Sequence, residues 1–262
     1  MDPALRASAT GMMAQQTRNE VIANNLANVN TPGFKRSRAH FEDLLYQTVQ
    51  GSAVLGTPDA INAPAIQVGR GTRLSGVQRL HTQGPIEQTG RNLDVAIEGE
   101  GFFQVQLPNG QTAFTRDGSF EISDQGVLVT AQGFTLQPNI RIPQDASEVT
   151  ISPTGFVTVR RGDETQPQEI GRLEMARFAN PSGLLAMGQN LYQPTPNSGQ
   201  PVIGFPQEEG MGRLVQGSLE GSNVEIVQEM VDMITAMRAY EINSKAIKNS
   251  DEMGQMANNL VR

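Results

Sequence analysis

Five carboxylates, Asp94, Glu98, Glu100, Asp117 and Glu121, lie close together along the chain. Two of them flanking one bond could supply the general acid and the base or nucleophile of glycoside hydrolysis. No spacing among them singles out a pair, and solvated acids near strand ends and turns are much the better account of them. Gly99-Glu100-Gly101 lacks the third glycine and the following helix of a dinucleotide fingerprint. It reads instead as a bulge or tight backbone approach beside Phe102. In Gly217-Ser218-Leu219-Glu220-Gly221 the serine stands one place too early for a nucleophile elbow. No Gly-x-x-x-x-Gly-Lys-Ser/Thr phosphate loop occurs, and Asp163-Glu164 carries no calcium-loop pattern. With no Cys and only His40 and His81, thiol catalysis, Cys-ligated zinc, iron–sulfur clusters and multi-histidine metal sites are excluded. His40 is expected on a helix face and His81 in a loop. The sequence therefore predicts no enzyme and no cofactor.

The elements around these residues say more. Of 262 residues, 37% are hydrophobic and 18% charged, both low for a globular domain. There are 17 Asn and 24 Gln against 20 Lys and Arg, so neutral amides outnumber cations on this chain. A net charge of −7 argues against nucleic acid as a partner. No apolar run reaches the roughly 18 residues of a membrane span, so direct membrane insertion is not expected. Met1-Asp2-Pro3-Ala4-Leu5 lacks the basic flank and apolar core of a leader, so a cleaved signal peptide is not expected either.

Residues 2–29 read as a helix, with Asp2 as N-cap and Pro3 at the first position. Leu5, Ala9, Met12, Gln16, Asn19, Ile22, Leu26 and Val29 step by four and three, near a 3.5 repeat. Asn30-Thr31-Pro32-Gly33 ends it. At the other end Ser222-Asn223-Val224-Glu225 fits a capping box. Ile226, Met230, Met233, Met237, Tyr240, Ser244 and Ile247 then step four-three without a break, widened by Val227, Val231 and Ile234. Periodicity fades after Asn249-Ser250-Asp251, though Met253, Met256 and Leu260 suggest another turn or two. Two readings are open: ordinary amphipathic helices on one domain, or terminal helices that zip with each other and with neighbouring copies. Heptad spacing, terminal position and polar seam residues favour the second, because a polar seam residue can fix register and partner number.

From about 90 to 178 the pattern changes to period two with turn signals. Asn109-Gly110, Asp124-Gln125-Gly126 and Pro153-Thr154-Gly155 each separate two β-like runs. Residues 46–80 carry few large apolar side chains, and Gly51–Pro58 reads as linker or adaptable loop. The expected architecture is α+β. It combines a discontinuous α-helical coiled-coil domain from both termini (1–45 and 214–262), an extended loop or linker (46–80), and an antiparallel β-rich middle domain with connectors (81–213).

Residues 24–36, Asn-Asn-Leu-Ala-Asn-Val-Asn-Thr-Pro-Gly-Phe-Lys-Arg, resemble the N-terminal signature of the bacterial flagellar rod and hook family of axial proteins. Gly221–Glu225 through Ile247 resembles that family's C-terminal signature. Leu93–Phe103 and Thr115–Phe120 are similar to its shared β domain. Length, a single modest β domain and the segment Phe41–Gln47 most resemble a rod member, distal in preference to proximal. Met237 stands where the family pattern suggests Gln, and Asp2-Pro3 is an unusual opening.

The resemblance implies a helical homopolymer forming a hollow tube, with terminal helices inside and β domains outside, that transmits torque from motor to hook. A β-scaffold wall-degrading hydrolase is the weaker alternative. The implied partners are other copies of the chain, other rod proteins, the hook protein, the surrounding ring proteins and the flagellar export apparatus. The implied location is the rod crossing the periplasm, reached without a cleaved leader. Subunit contacts are expected along Leu5, Met12, Asn19, Ile22, Leu26 and Val29, and along Ile226, Met230, Met233, Ile234, Met237, Tyr240 and Ile247. The family motif comprises Asn24, Asn25, Leu26, Ala27, Asn28, Asn30, Pro32, Gly33 and Phe34.

Overall fold

Both chain ends form helices and the middle forms strands, an α+β arrangement, in a computed structural model that describes residues 3–50, 66–162 and 166–260. Helix α1 spans Pro3–Ala27 and helix α2 spans Ile226–Leu260. Between them, the strand pairs of the β-rich middle are antiparallel among the described residues. The chain divides into two compact units, one of residues 1–26, 37–78 and 226–262, the other of 27–36 and 79–225.

The second unit is built on a sheet whose centre is the hairpin Phe102–Gln106 and Thr112–Thr115, turned at Asn109-Gly110 as the sequence predicts. From this hairpin the sheet runs one way through Leu191–Gln193 to Leu185–Gly188. The other way it runs through Thr135–Gln137 and Leu128–Thr130 to Phe120–Ile122. The expected alternation of buried and exposed residues is absent at the centre, where Phe102, Phe103, Gln104 and Val105 are all buried. Successive side chains point to opposite faces of a strand. Phe103 joins Phe120, Val105, Leu128, Leu136 and Met175 on one face, while Phe102 joins Phe114, Phe178 and Tyr192 on the other. The sheet is covered on both faces, and that removes the period-two signal.

The first unit holds α1, α2 and two strand pairs. The strand Ser37–Asp43 pairs with Thr72–Arg79, and Gln47–Gln50 pairs with Ile66–Val68. These lie within or beside the 46–80 stretch read as a loop. The strand Thr72–Arg79 is largely exposed along its length, so it carries no apolar period to read. The linker reading at Gly51–Pro58 falls outside the described residues, as does Asp163-Glu164.

Two local readings are corrected. His40 lies exposed on a strand, not a helix. Asn25 holds the start of that strand, its Nδ2 donating to Ser37 O (2.8 Å) and its Oδ1 accepting from Ser37 N (2.8 Å). The Ser222–Glu225 capping box does not form, because α2 begins only at Ile226. Ser222 Oγ instead accepts from Val224 N (3.3 Å), and Asn223 Oδ1 accepts from Arg36 N (2.7 Å). These side-chain bonds fix a non-helical connector in place of the first turn.

Candidate subunit interface and its anchoring cluster

Helices α1 and α2 meet through small and polar groups. A Cβ on Gly11 would stand 3.0 Å from Asn243 Nδ2. Arg18 Nη2 reaches Asp232 Oδ1 at 3.4 Å, and Asn25 Nδ2 donates to buried Glu229 Oε2 at 3.1 Å. As position rises on one helix it falls on the other, so the two run antiparallel. The inward residues of α2, Glu229, Ala236, Asn243 and Ser250, recur every seven positions. Glu229 sits in the first turn, where the helix dipole favours a negative charge.

This polar seam leaves the apolar stripe of α2 facing out. Ile226, Val227, Met230, Val231, Ile234, Met237, Tyr240 and Ile242 are 41% to 76% exposed. Met233 and Ile247 are half-buried. Along the expected N-terminal stripe Ile22 is buried, Leu5, Ala9, Met12, Asn19 and Leu26 are half-buried and Gln16 is exposed, while Val29, also half-buried, follows the end of the helix at Ala27. Asn19 Oδ1 is out of water and accepts no hydrogen bond from the described residues.

The family motif residues divide by position. Asn25, Gly33 and Phe34 are buried, Asn28 and Pro32 half-buried, and Asn24, Ala27 and Asn30 exposed. Val29, Asn30 and Pro32 line an open cleft of about 330 Å³ with Leu219, Glu220 and Val224. Gly33 has φ +68°, and a Cβ there would stand 2.8 Å from the backbone of Arg116 and Asp117. Only glycine satisfies both the left-handed backbone and that approach.

Beside Gly33 lies a buried charge cluster that the spacing of the sequence does not reveal. Glu220 Oε1 accepts from Lys35 Nζ (2.5 Å) and Gly84 N (2.9 Å), and its Oε2 accepts from Arg116 Nη1 (3.1 Å). Lys35 Nζ also donates to Thr82 O (2.8 Å) and Arg116 Nη2 to Gly99 O (2.8 Å). Burial pushes the Lys35 amine below its ordinary value, with the Glu220 charge opposing. The Arg116 guanidinium lies over the Phe102 ring at 5.3 Å. His81, in a loop as expected, packs edge-on against Phe102 and Tyr192 (5.6 and 5.4 Å). Burial, reinforced by Lys35, Arg116 and Arg79, lowers its pKa from 6.5 to about 3, so the imidazole is neutral at pH 7. The cluster joins one charged residue from each of three runs: the N-terminal signature, Thr115–Phe120, and the approach to α2.

Three of the five carboxylates considered for hydrolysis take part in local pairings. Asp94 accepts from Thr89 Oγ1 (2.7 Å), Glu98 pairs with Arg213 (2.7 Å), and Asp117 accepts from Ser119 (2.7 Å). Among the described residues no group of three or more acidic or histidine side chains is placed to hold a metal ion. No described helix is long and apolar enough to cross a membrane.

Three family models match the chain in order. They are "Flagella basal body rod protein" at residues 5–35, "Flagellar hook protein FlgE/F/G D1 domain" at 96–159, and "Flagellar basal body rod FlgEFG protein C-terminal" at 215–260. The chain is 51% identical to the flagellar basal-body rod protein FlgG of Borreliella burgdorferi, over 99% of this chain and 98% of the relative. It is 51% identical to FlgG of Buchnera aphidicola subsp. Baizongia pistaciae, over 97% and 98%. Two rod proteins of Caulobacter vibrioides are instructive together: FlgG is 46% identical (98% of each chain), and FlgF 35% (98% of this chain, 97% of the relative). Full-length similarity and three matches in order establish that this chain belongs to the flagellar basal-body rod protein family.

Proposed function

We propose that this chain is a structural, non-catalytic subunit of the flagellar rod, of the FlgG type and distal in position, that polymerises helically and carries torque from motor to hook. The observation that carries this reading is the outward apolar stripe of α2, which the described residues leave uncovered. Each of these side chains is about half exposed, so covering it is worth about 1 kcal/mol. Six of them together approach the stability of a whole domain. The higher identity to FlgG than to FlgF of one organism favours the FlgG type.

In this reading residues 1–45 and 214–262 form a coiled-coil domain that is complete only in the polymer, with 46–80 and 81–213 outside it. The contacts are Leu5, Met12, Asn19, Ile22 and Leu26 on α1, Val29 just after it, and Ile226, Met230, Met233, Ile234, Met237, Tyr240 and Ile247 on α2. Partners are further copies, other rod proteins, the hook protein and the ring proteins. The subunit reaches the periplasmic rod through the flagellar export apparatus.

The test is assembly of purified full-length subunit followed by sedimentation and electron microscopy. Ordered tubes from the unmodified chain are expected, and none from Ile234→Asp. Tubes of normal yield from Ile234→Asp would overturn the packing.

A further inference from the structure

Methionine is the only sulfur residue in this chain, which has 11 Met and no Cys. Seven of the 11 lie in α1 and α2. Their surroundings separate them into two classes. Met175 and Met211 sit in the β core at 0% and 6% exposure, whereas Met230 and Met237 are 52% and 50% exposed. Thioether oxidation follows accessibility, and with neither Cys nor Trp present the exposed methionines, which also include Met13, Met253 and Met256, are the most readily oxidised groups on the open surface; of these only Met230 and Met237 lie within the outward stripe of Ile226–Ile242. Met230 and Met237 are seven residues apart, on one face of α2, in the middle of its outward apolar stripe.

We propose that Met230 and Met237 form an oxidation site that controls assembly, an inference that rests on the polymer reading above. A sulfur lone pair attacks one oxygen of a peroxide and the O–O bond breaks. Sulfur loses two electrons and becomes the sulfoxide, and the second oxygen leaves as water. The product is polar and chiral where the face was flexible and apolar. Docking a second copy would bury the new oxygens among Ile226, Val227, Val231 and Ile234, which offer no donor, Tyr240 being the one hydroxyl of the stripe. Once docked, the same residues shield both sulfurs, so sensitivity belongs to the free subunit and not to the polymer.

The experiment treats free full-length subunit with dilute hydrogen peroxide, maps sulfoxides by peptide mass spectrometry, and measures the critical concentration for assembly. Met230 and Met237 should oxidise well before Met175 and Met211. The critical concentration should rise about tenfold or more, since a buried unsatisfied oxygen forfeits its hydrogen bonds to water. Methionine sulfoxide reductase should restore it. The variant Met230→Leu/Met237→Leu conserves volume and should assemble with or without peroxide. Met187→Leu, which removes an exposed methionine outside the helices, should leave the sensitivity unchanged. Normal assembly of subunits carrying both sulfoxides would overturn the proposal. So would equal loss in the double leucine variant, or failure of the reductase to restore assembly. If untreated subunit never polymerises, the assembly reading falls and this inference with it; that outcome is distinguishable because it appears without peroxide.

Discussion

Glu220 serves two buried cations and a backbone N–H with one side chain, so the charges of this cluster depend on it unequally. Glu220→Gln leaves Lys35 and Arg116 buried without a counter-charge. Breaking a buried pair in this way costs about 3–5 kcal/mol. Lys35→Met leaves Glu220 still bonded to Arg116 and Gly84, and should cost only about 1–3 kcal/mol. Urea unfolding of the two variants checks the order, and equal losses would refute the shared-carboxylate account. His81 adds a pH dependence with a definite sign. Its folded pKa, about 3, lies below the ordinary 6.5, so the unfolded chain binds the proton first as pH falls. Its contribution to stability is complete above about pH 6.5 and drains away toward pH 3. The protein should lose about 2–3 kcal/mol from this group between pH 7 and 4.5. His81→Gln should flatten that part of the stability profile relative to the unmodified chain. None of this was legible in sequence, because Lys35, Arg116 and Glu220 lie in separate runs, 185 and 104 residues from their partner. A weak local signal was a charge within two residues of a glycine: Lys35 after Gly33, Arg116 before Gly118 and Glu220 before Gly221.

At the scale of elements, α2 presents an inward face of Glu229, Ala236, Asn243 and Ser250 and an outward face of large apolar residues. The heptad stripe of α2 was legible because seven-residue spacing is a local property. Which face turned inward was not, since an apolar stripe is ordinarily assigned to the interior of its own chain. The polar seam makes its own prediction. Gly11→Ala gains helix propensity but presses on Asn243, whereas Gly11→Ala with Asn243→Ala keeps the gain and removes the contact. The double variant should be about 1 kcal/mol more stable than Asn243→Ala alone, measured by thermal unfolding. A full gain from Gly11→Ala alone, with Asn243 in place, would mean the helices do not touch there. Ile234 is the cleaner probe of assembly than Leu26, because it is 51% exposed while Leu26 is half-buried. Ile234→Asp should change monomer stability by no more than about 0.5 kcal/mol.

At the scale of the whole molecule, the β unit carries a dense two-sided core, while α1 and α2 join mainly through polar contacts. Trypsin acting on free subunit should cut first at the exposed Arg238, Lys245 and Lys248 of α2, leaving a fragment that contains residues 79–225. First cuts between 100 and 160 would contradict this ranking of stability. The hairpins of the β unit were legible because Gly-bearing turns sit between apolar runs. The strands Ser37–Asp43 and Thr72–Arg79 were not, since partly or largely exposed strands leave no burial pattern. The span between Lys35 and Glu220 has a further meaning in time. A contact that closes so long a loop contributes nothing until nearly all of the chain has been delivered, whichever end comes first. Glu220 therefore acts as a proof of completeness: a chain cut short before it retains two stranded cations and cannot consolidate its middle domain.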